Sequence, residues 1–231
     1  MRRTARRPLA AGRLKPASVL WFGIALSVFG TVYLAVAVNV LASLLAMATL
    51  LSYLFFYTPL KRKTPLCTLV GAFPGAMPPL IGWAAASGTL NFKALTLYAV
   101  LFLWQFPHFM AIAWMYREDY ARAGYQVLPS GPSMRARLVH LQTVLPLLAL
   151  VPLSLLPGWT GEAEFYSIAA SLLGAGFLYY AAQFVIRRSN SDARRLLATS
   201  IIYLPVLFVV MVLARVWYDG ALNQMRVQFH E

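Results

Sequence analysis

Seven long apolar stretches constrain the fold of this chain more than any other feature of its sequence. A helix needs roughly 20 residues to cross a hydrocarbon core of about 30 Å, and each stretch is long enough. The chain is 60% hydrophobic and only 12% charged, which is far more apolar than an average soluble domain. We therefore predict an all-α, polytopic transmembrane helical bundle. Its seven spans lie near 19–38, 39–57, 66–86, 93–115, 138–157, 165–186 and 197–216.

The spans follow one another closely, which favours a single domain at 1–216 and leaves a short polar tail at 217–231. Only Asn39 separates the first two spans, which predicts a tight helical hairpin with its turn at that residue. The segment 71–83 is rich in Gly and Pro, so we expect either a small-residue packing face or a broken helix that lines a cavity. The single cysteine, Cys67, excludes an intramolecular disulfide framework.

The basic residues predict an orientation, because short cytoplasmic loops collect Lys and Arg. With the N-terminus in the cytoplasm, the cytoplasmic segments hold 17 of the 20 Lys and Arg residues. These segments are 1–18, 58–65, 116–137 and 187–196. The C-terminus is then expected on the opposite side. The loops account for the net charge of +13 without nucleic acid as a partner, and they suit anionic lipid or an anionic substrate.

The Arg-rich start, MRRTARRPLAAGRLK, shares its basic character with two kinds of targeting segment, both of which the sequence disfavours. A secretory signal peptide has an apolar region of about 7 to 15 residues, but the run that follows here is longer and leads straight into another span. A mitochondrial transit sequence would be longer and richer in serine. We therefore expect the first apolar run to be a membrane span.

Glu118 and Asp119 stand together where the fourth span ends, in a chain with only seven acidic residues. Carboxylates near a bilayer are costly without a partner or a task, so the pair predicts a functional site. The N-terminal arginines and the basic run at 61–63 are predicted on the same membrane face. Together these groups suit a diphosphate bridged by a divalent cation such as Mg²⁺. Two simpler interpretations stay open: topology alone for the basic clusters, and ion pairs with Arg117 or Arg122 for the acids.

Helix geometry extends this hypothesis into the fourth span. His108 and Asp119 are eleven residues apart, so on an unbroken helix they would lie about 20° apart on one face and roughly 16 Å apart along the axis. Gln105, three residues before His108, shares that face. We therefore expect a polar stripe that descends from the acidic pair into the bilayer. An ordinary packing role for His108 is equally open at this point.

Three segments of the chain resemble one known family: RRTARRPLAAGRL, YTPLKRKTPLCTLVGAFPGAMPPLIGWAA and PHFMAIAWMYREDYARAGYQVLP. In this order and spacing they are similar to the protoheme IX farnesyltransferases, a family of UbiA-type intramembrane prenyltransferases. The resemblance covers the chain from residue 2 to about residue 216. It implies a bundle of nine transmembrane helices around a central cavity that opens to lipid.

The resemblance also implies the chemistry. A farnesyl group would pass from farnesyl diphosphate to a vinyl side chain of haem B, with addition of water, to give haem O. Asp119, with Glu118 beside it, would bind the Mg²⁺ cofactor and the diphosphate. The resemblance also implies Lys61 and Arg62 as the basic motif that binds diphosphate, and Arg3, Arg6 and Arg7 as the basic run. From their positions on the helices we further infer that Tyr53 and Tyr57 could shield an allylic cation and that His108, which lies in the family's PHF segment, could contact the haem or its propionates, with Gln105 on the same face. For the tyrosines, four residues apart on one helix face, ordinary packing is equally open.

Two departures from the family pattern matter. The second acidic motif commonly has two acidic residues four apart, but here the second position is Ala123. The first acidic motif would stand just upstream of the Arg-rich segment, where this chain begins at Met1. With seven spans instead of nine, we expect the chain expressed from Met1 to bind Mg²⁺ and farnesyl diphosphate poorly and to make little or no haem O.

Two other functions stay open at the level of sequence. A prenyltransferase of the same superfamily that acts on a quinone or chlorin precursor would share the diphosphate site. A transporter would use charged helix ends and broken helices to pass an anion. For the farnesyltransferase we expect a bacterial inner-membrane protein in contact with membrane lipid, and the sequence identifies no respiratory-oxidase assembly partner.

Overall fold

The computed structural model describes residues 4–129, 131–159 and 164–228, with the backbone alone at 157–159 and 219–228, and every regular element in these ranges is a helix. The elements are α1 (Pro16–Ala37), α2 (Val40–Leu51), a π-helical segment π1 (Ser52–Tyr57), α3 (Thr58–Leu60), α4 (Cys67–Gly75), α5 (Pro78–Ser87), α6 (Phe92–Met115), α7 (Arg117–Arg122), α8 (Pro132–Trp159), α9 (Glu164–Arg187) and α10 (Asn190–Gln228).

Seven helical segments within the described ranges are long and apolar enough to cross a membrane. They are Pro16–Ala37, Val40–Leu60, Cys67–Ser87, Phe92–Met115, Pro132–Leu156, Glu164–Arg187 and Asn190–Tyr218. The predicted all-α class and the seven predicted spans are confirmed. The helices form two compact units: the first contains residues 4–98 and 116–129, and the second contains 99–115 and 131–228.

In the first unit, Asn39 closes the turn between α1 and α2, as predicted. Its side-chain oxygen accepts a hydrogen bond from the Ala42 backbone N–H at 2.8 Å, which caps the start of α2. Its side-chain N–H donates to the Ala84 carbonyl of α5, also at 2.8 Å. Asn39 therefore ends the hairpin and also joins it to α5.

The segment 71–83 forms a broken helix, which is one of the two predicted alternatives. Helix α4 ends at Gly75 and α5 begins at Pro78. Proline has no N–H to donate, and the first turn of a helix needs no such donor, so Pro78 suits the start of α5. Beside this break lies an apolar core built on Met77, Leu80 and Ala94.

Pro59 explains the π-helical segment between α2 and α3. A proline removes one helical hydrogen bond and its ring clashes with the carbonyl four residues earlier, so the helix preceding it is disrupted. The Thr58 N–H bonds to the carbonyl of Tyr53, five residues back, and the Thr58 hydroxyl donates to the same carbonyl at 2.9 Å. Tyr53 and Tyr57 therefore lie on a π-helix, and their rings are neighbours, with centroids 5.0 Å apart. Such π segments are frequent at functional sites.

The second unit is built on the packing of α8, α9 and α10. Gly174 of α9 lets Val151 of α8 approach closely, because a Cβ at position 174 would lie 3.0 Å from Val151 Cγ2. The Phe177 and Tyr203 rings, from α9 and α10, have centroids 5.0 Å apart and are both fully buried. Ring packing and close backbone approach join these three spans within the bilayer, and an ion pair between Arg187 of α9 and Asp192 of α10 lies at their polar end.

Helix α10 continues beyond the membrane span. The span predicted to end at 216 ends at Tyr218, and the helix runs on to Gln228 through residues that were predicted to form a polar tail. The stretch after 216 has no proline and contains good helix formers, among them Ala, Leu, Gln, Met and Arg. A polar sequence therefore extends an apolar span without a break.

We expect Gly174→Leu to destabilise the second unit, because the new side chain would overlap Val151. Overpacking of this kind costs typically about 1–3 kcal/mol. Gly176→Leu is the matched control, since a Cβ at Gly176 would meet nothing within 4 Å. The melting temperature in detergent should fall for Gly174→Leu and stay near that of the parent for Gly176→Leu. An equal fall in both would contradict the close α8–α9 contact.

Candidate functional site

Lys61 directly follows α3, and its ammonium group lies against two tyrosine rings. Its Nζ is 4.2 Å from the centroid of the Tyr57 ring and 5.2 Å from that of Tyr53. The two ring centroids are 5.0 Å apart. A cation over an aromatic face gains about 0.5–1 kcal/mol at exposed sites and about 2 kcal/mol when desolvated. The structure thus brings three of the predicted site residues into one cluster.

Gly71 determines the position of the Tyr57 ring. A Cβ at Gly71 would lie 2.6 Å from both Cδ2 and Cε2 of Tyr57, a separation that real Cβ atoms essentially never show. The ring therefore packs against the backbone of α4 at a place where any side chain would displace it. The sequence marked Gly71 only as part of a Gly- and Pro-rich segment and gave no sign of this contact.

The loop after α7 lies against the Lys61 loop. The Gln126 backbone N–H donates to the Lys61 carbonyl at 2.8 Å. The Arg62 guanidinium carbon is 5.9 Å from the centroid of the Tyr125 ring. The segment 58–65 therefore meets the part of 116–137 that belongs to the first unit, as their predicted place on one membrane face requires. Tyr125 was not among the predicted site residues, and one tyrosine in a polar loop carries no signal that would single it out.

The acidic pair lies in the first turn of α7, where the positive end of the helix dipole favours carboxylates. Glu118 is exposed, whereas the Asp119 side chain is only 15% exposed. An Arg122 guanidinium N–H donates to Asp119 Oδ1 at 2.5 Å. The ion pair that was the simpler interpretation of this acid is therefore present. A carboxylate has about four lone-pair sites, so this bond leaves Asp119 able to accept a second cation.

The acids do not extend the helix that carries His108. Helix α6 ends at Met115, Tyr116 has φ −107° and ψ 19°, and α7 begins at Arg117. The expectation of one unbroken helix with a stripe from His108 to Asp119 is therefore wrong. The physical reason is that acids in a first turn and Arg122 in the last turn stabilise a separate short helix.

Glu118 and Asp119 suit a metal ion only with help from a ligand. Across the described ranges, no group of three His, Cys, Asp or Glu side chains is placed to hold a metal ion. Mg²⁺ commonly binds one or two carboxylates and completes its octahedron with water and substrate phosphates. Glu118 and Asp119 are consecutive on α7 and do not share one helix face, so they fit a Mg²⁺ ion that takes a carboxylate from one of them and completes its coordination with phosphate and water.

The N-terminal arginines make no ion pair with the acids of this cluster, as far as the structure describes them. Arg3 lies outside the described residues. Arg6 and Arg7 are exposed, and neither forms an ion pair with any carboxylate that the structure describes. The Arg13 guanidinium donates to the Arg6 carbonyl at 2.8 Å, which folds the segment into a compact turn before α1. Their part in binding a diphosphate stays a prediction.

His108 belongs to the second unit, where a serine and a tryptophan hold its ring. The Trp104 and His108 rings are stacked with centroids 4.7 Å apart. His108 Nδ1 lies 2.8 Å from the Ser200 hydroxyl, and the Trp104 indole N–H donates to the Ser200 carbonyl at 2.8 Å. Gln105, one turn earlier on α6, is only 3% exposed. The sequence gave no sign of Ser200, which lies 92 residues from His108.

The Ser200 hydroxyl determines which nitrogen of His108 carries the proton. That hydroxyl has one proton, and it donates it to the Leu197 carbonyl at 2.6 Å. It can therefore only accept from His108, so we infer that Nδ1 carries the hydrogen and that Nε2 has a free lone pair. A neutral imidazole with this tautomer can ligate a metal ion or accept a proton through Nε2.

The chain is similar to known membrane prenyltransferases. Residues 1–204 match the model of the UbiA prenyltransferase family. Over 217 residues the chain is 50% identical to the protoheme IX farnesyltransferase of Solibacter usitatus, covering 93% of this chain and 74% of that protein. Over 221 residues it is 44% identical to the protoheme IX farnesyltransferase of Myxococcus xanthus. This match covers 94% of this chain and 74% of that protein. A solved structure of a membrane digeranylgeranylglyceryl phosphate synthase has the same fold, with a TM-score of 0.74, 18% identity, and coverage of 91% of this chain and 74% of that one.

We expect NMR of ¹⁵N-histidine-labelled protein to show His108 as the Nδ1–H tautomer at neutral pH. Its Nε2 signal should fall in the unprotonated range, and the His108→Gln variant assigns the signal among the three histidines. Ser200→Ala should bring in the Nε2–H tautomer, because the acceptor for Nδ1–H is lost. An Nε2–H signal in the parent protein would contradict the inferred hydrogen bond.

Proposed function

The chain belongs to the UbiA prenyltransferase family and is an integral membrane prenyltransferase, and we propose that it transfers a farnesyl group from farnesyl diphosphate to a vinyl side chain of haem B. The product would be haem O. The acceptor is supported by relatives that carry the name protoheme IX farnesyltransferase. Haem B and farnesyl diphosphate are thus the proposed substrates, and Mg²⁺ is the proposed cofactor.

The position of Lys61 over Tyr53 and Tyr57 carries this proposal. Loss of diphosphate from an allylic donor needs a cationic group at the leaving oxygens and electron-rich faces near the carbon that becomes positive. Here one ammonium group and two aromatic faces lie within 5.2 Å of one another. An anion transporter has use for the cation but no chemical use for the paired rings.

The faces of Tyr53 and Tyr57 cannot contact Lys61 and a carbocation at once. The energies of the two contacts open to Lys61 indicate how it makes way for the carbocation. Contact with the rings is worth about 0.5–2 kcal/mol to a cation. A hydrogen bond between charged groups is worth about 1.5–3 kcal/mol. A diphosphate therefore draws the Lys61 ammonium to its own oxygens, and the faces of Tyr53 and Tyr57 become free to stabilise the allylic cation.

The reaction balances without an oxidant or a reductant. The C1–O bond of farnesyl diphosphate breaks, and both electrons leave with the diphosphate. The vinyl π electrons of haem B form a new C–C bond to C1, and water captures the cation left on the vinyl group and loses a proton. Lys61 and Arg62 bind the leaving diphosphate, with Arg3, Arg6 and Arg7 as further candidates. Mg²⁺ held by Glu118 or Asp119 would supply additional charge neutralisation.

His108 and Gln105 are the candidates to contact the haem acceptor. The inferred tautomer of His108 distinguishes two kinds of contact. A nitrogen with a lone pair and no hydrogen repels a propionate carboxylate, but it is a good ligand for iron. We therefore assign the haem iron, rather than a propionate, as the group that His108 Nε2 meets. Stacking on Trp104 would keep the ring oriented for that contact.

The membrane and the orientation follow from charge and from the relatives. The proteins at 50% and 44% identity are bacterial, which supports a bacterial inner membrane. The concentration of basic residues at 1–18, 58–65, 116–137 and 187–196 supports a cytoplasmic N-terminus. The diphosphate would then approach from the cytoplasm, where Lys61 and Asp119 lie.

The test uses purified protein in lipid nanodiscs with farnesyl diphosphate, haem B and Mg²⁺. Mass spectrometry follows haem O, and a ligand-induced melting shift follows farnesyl diphosphate binding. We expect haem O formation by this chain to be slow, and we expect EDTA to abolish it together with diphosphate release. Transfer to a quinone or chlorin precursor but not to haem B would overturn the acceptor. Transport of diphosphate into vesicles without any turnover would overturn the assignment of the chain as an enzyme.

Lys61→Met should weaken farnesyl diphosphate binding and lower the rate of transfer by about 100-fold, as removal of one stabilising donor commonly does. Lys63→Met is the matched control, because Lys63 is an exposed lysine of the same loop. A surface substitution of this kind changes binding by about twofold or less. Equal losses in the two variants would mean that loop charge, rather than the contact of Lys61 with the rings, is what matters.

Gly71→Ala should lower the rate of transfer by between about 10-fold and 100-fold, the range expected when a reacting group is misplaced by about 1 Å. The new methyl group would force the Tyr57 ring away from α4. Gly82→Ala in α5 is the control, since a Cβ there meets nothing within 4 Å. Both variants are compared at matched melting temperature. An unchanged rate for Gly71→Ala would remove Tyr57 from the site.

A further inference from the structure

A second cationic cluster lies in the second unit, at the boundary between two membrane spans and their polar ends. Helix α8 contributes its second and third turns and α9 contributes its last turn and the residue after it. Together they enclose a pocket of about 340 Å³. It is lined by Ala136, Arg137, His140, Leu141, Val185 and Arg188. None of these residues takes part in the proposed reaction.

The two arginines of the pocket face no acid among the described residues. No carboxylate that the structure describes lies within 4.0 Å of Arg137 or Arg188. The neighbouring arginines differ, because Arg187 and Arg195 lie 4.0 Å and 3.7 Å from the buried carboxylate of Asp192. The fold thus places one pair of arginines beside a shared carboxylate and leaves the other pair, together with His140, available to an external anion.

The backbone at Arg188 adopts a conformation that is unfavourable for a residue other than glycine or asparagine. Its φ is +50°, the left-handed conformation that usually ends a helix with glycine or asparagine. Within the described residues, Arg188 is the only non-glycine residue with a positive φ. Its N–H donates to the Phe184 carbonyl at 2.7 Å and closes the last turn of α9. The preference of cytoplasmic loops for Lys and Arg would be met by a basic residue at any nearby position. It therefore does not explain why an arginine occupies this strained position.

The surface beneath the pocket indicates what kind of anion it takes. Leu141, Leu145 and Leu148 follow one another at helical spacing on α8 and are 42%, 57% and 55% exposed. In a membrane this face of α8 contacts lipid hydrocarbon. A ligand that places an anionic group between Arg137 and Arg188 and apolar chains along these leucines has the architecture of a phospholipid.

We propose that Arg137, His140 and Arg188 form a binding site for the phosphate of an anionic phospholipid headgroup, with its acyl chains along the leucine face of α8. Basic pockets between membrane helices at this depth are the kind that bind anionic lipid heads. The site shares no residue with the diphosphate site and does not depend on the proposed reaction. It would make a specific lipid part of the folded second unit.

The test titrates the full chain, purified in a neutral detergent, with dioleoylphosphatidylglycerol or dioleoylphosphatidylcholine and follows the melting temperature. Phosphatidylglycerol should raise it in a saturable way, and phosphatidylcholine should not. The Arg137→Gln/Arg188→Gln variant should weaken the apparent affinity by about 20-fold, since each basic residue near an anionic lipid contributes about fivefold. Lys63→Gln/Arg194→Gln removes the same charge from exposed positions outside the pocket and should keep the parent affinity.

Arg188→Gly separates a ligand role from a structural one. Glycine relieves the left-handed backbone, so this variant should melt higher than the parent without anionic lipid. Its affinity for phosphatidylglycerol should nevertheless fall by about fivefold. An unchanged affinity in this variant, or equal losses in the two double variants, would overturn the site. Inorganic phosphate that gave the same Arg137-dependent shift without lipid would overturn the lipid assignment and leave a site for soluble phosphate.

Discussion

The whole structure depends on the need to bond every backbone N–H and C=O inside hydrocarbon, where each unpaired group costs several kcal/mol. Seven helical segments within the described ranges meet this need along most of their length. At two interruptions a side chain supplies a bond: Asn39 caps α2, and the Thr58 hydroxyl shares the Tyr53 carbonyl with a backbone N–H. At the starts of α5 and α7 no side chain caps the helix. The candidate diphosphate residues lie at such interruptions, on π1, after α3 and on α7. The fold thus concentrates its irregular backbone where its chemistry is proposed.

Local sequence determined much of this architecture in advance. The spans, the turn at Asn39 and the broken helix at 71–83 follow from apolar length and from Gly and Pro, which act within a few residues. The clustering of Lys61 with Tyr53 and Tyr57 also follows from near neighbours, although the helix type does not. Helix ends were harder to predict. A predicted helix that ran on to Asp119 ignored the preference of acids for a first turn, and the polar composition after 216 did not indicate that α10 continues there.

The contacts that position the site could not be predicted, because they join residues far apart in sequence. Gly71 meets Tyr57 only because α4 packs against π1, and a glycine in an apolar span has many possible reasons to be there. Ser200 meets His108 across 92 residues, and a serine among apolar neighbours looks like any small helix residue. Arg188 was visible only as one of many basic residues, since its unusual φ is a property of the folded backbone. Charge and hydropathy thus indicated the candidate site, and three-dimensional packing identified residues that would support it.

The bond from Asn39 to the Ala84 carbonyl has a consequence for how the protein is made. The two residues are 45 positions apart, and α2 and α4 lie between them in the chain. During synthesis, the first hairpin therefore enters the membrane before the carbonyl that its turn will bond has been translated. Until α5 arrives, the Asn39 side-chain N–H must find water or a lipid headgroup at the bilayer surface. Because α5 is translated later, its packing against the α1–α2 hairpin is the step that completes the hydrogen bonding of Asn39.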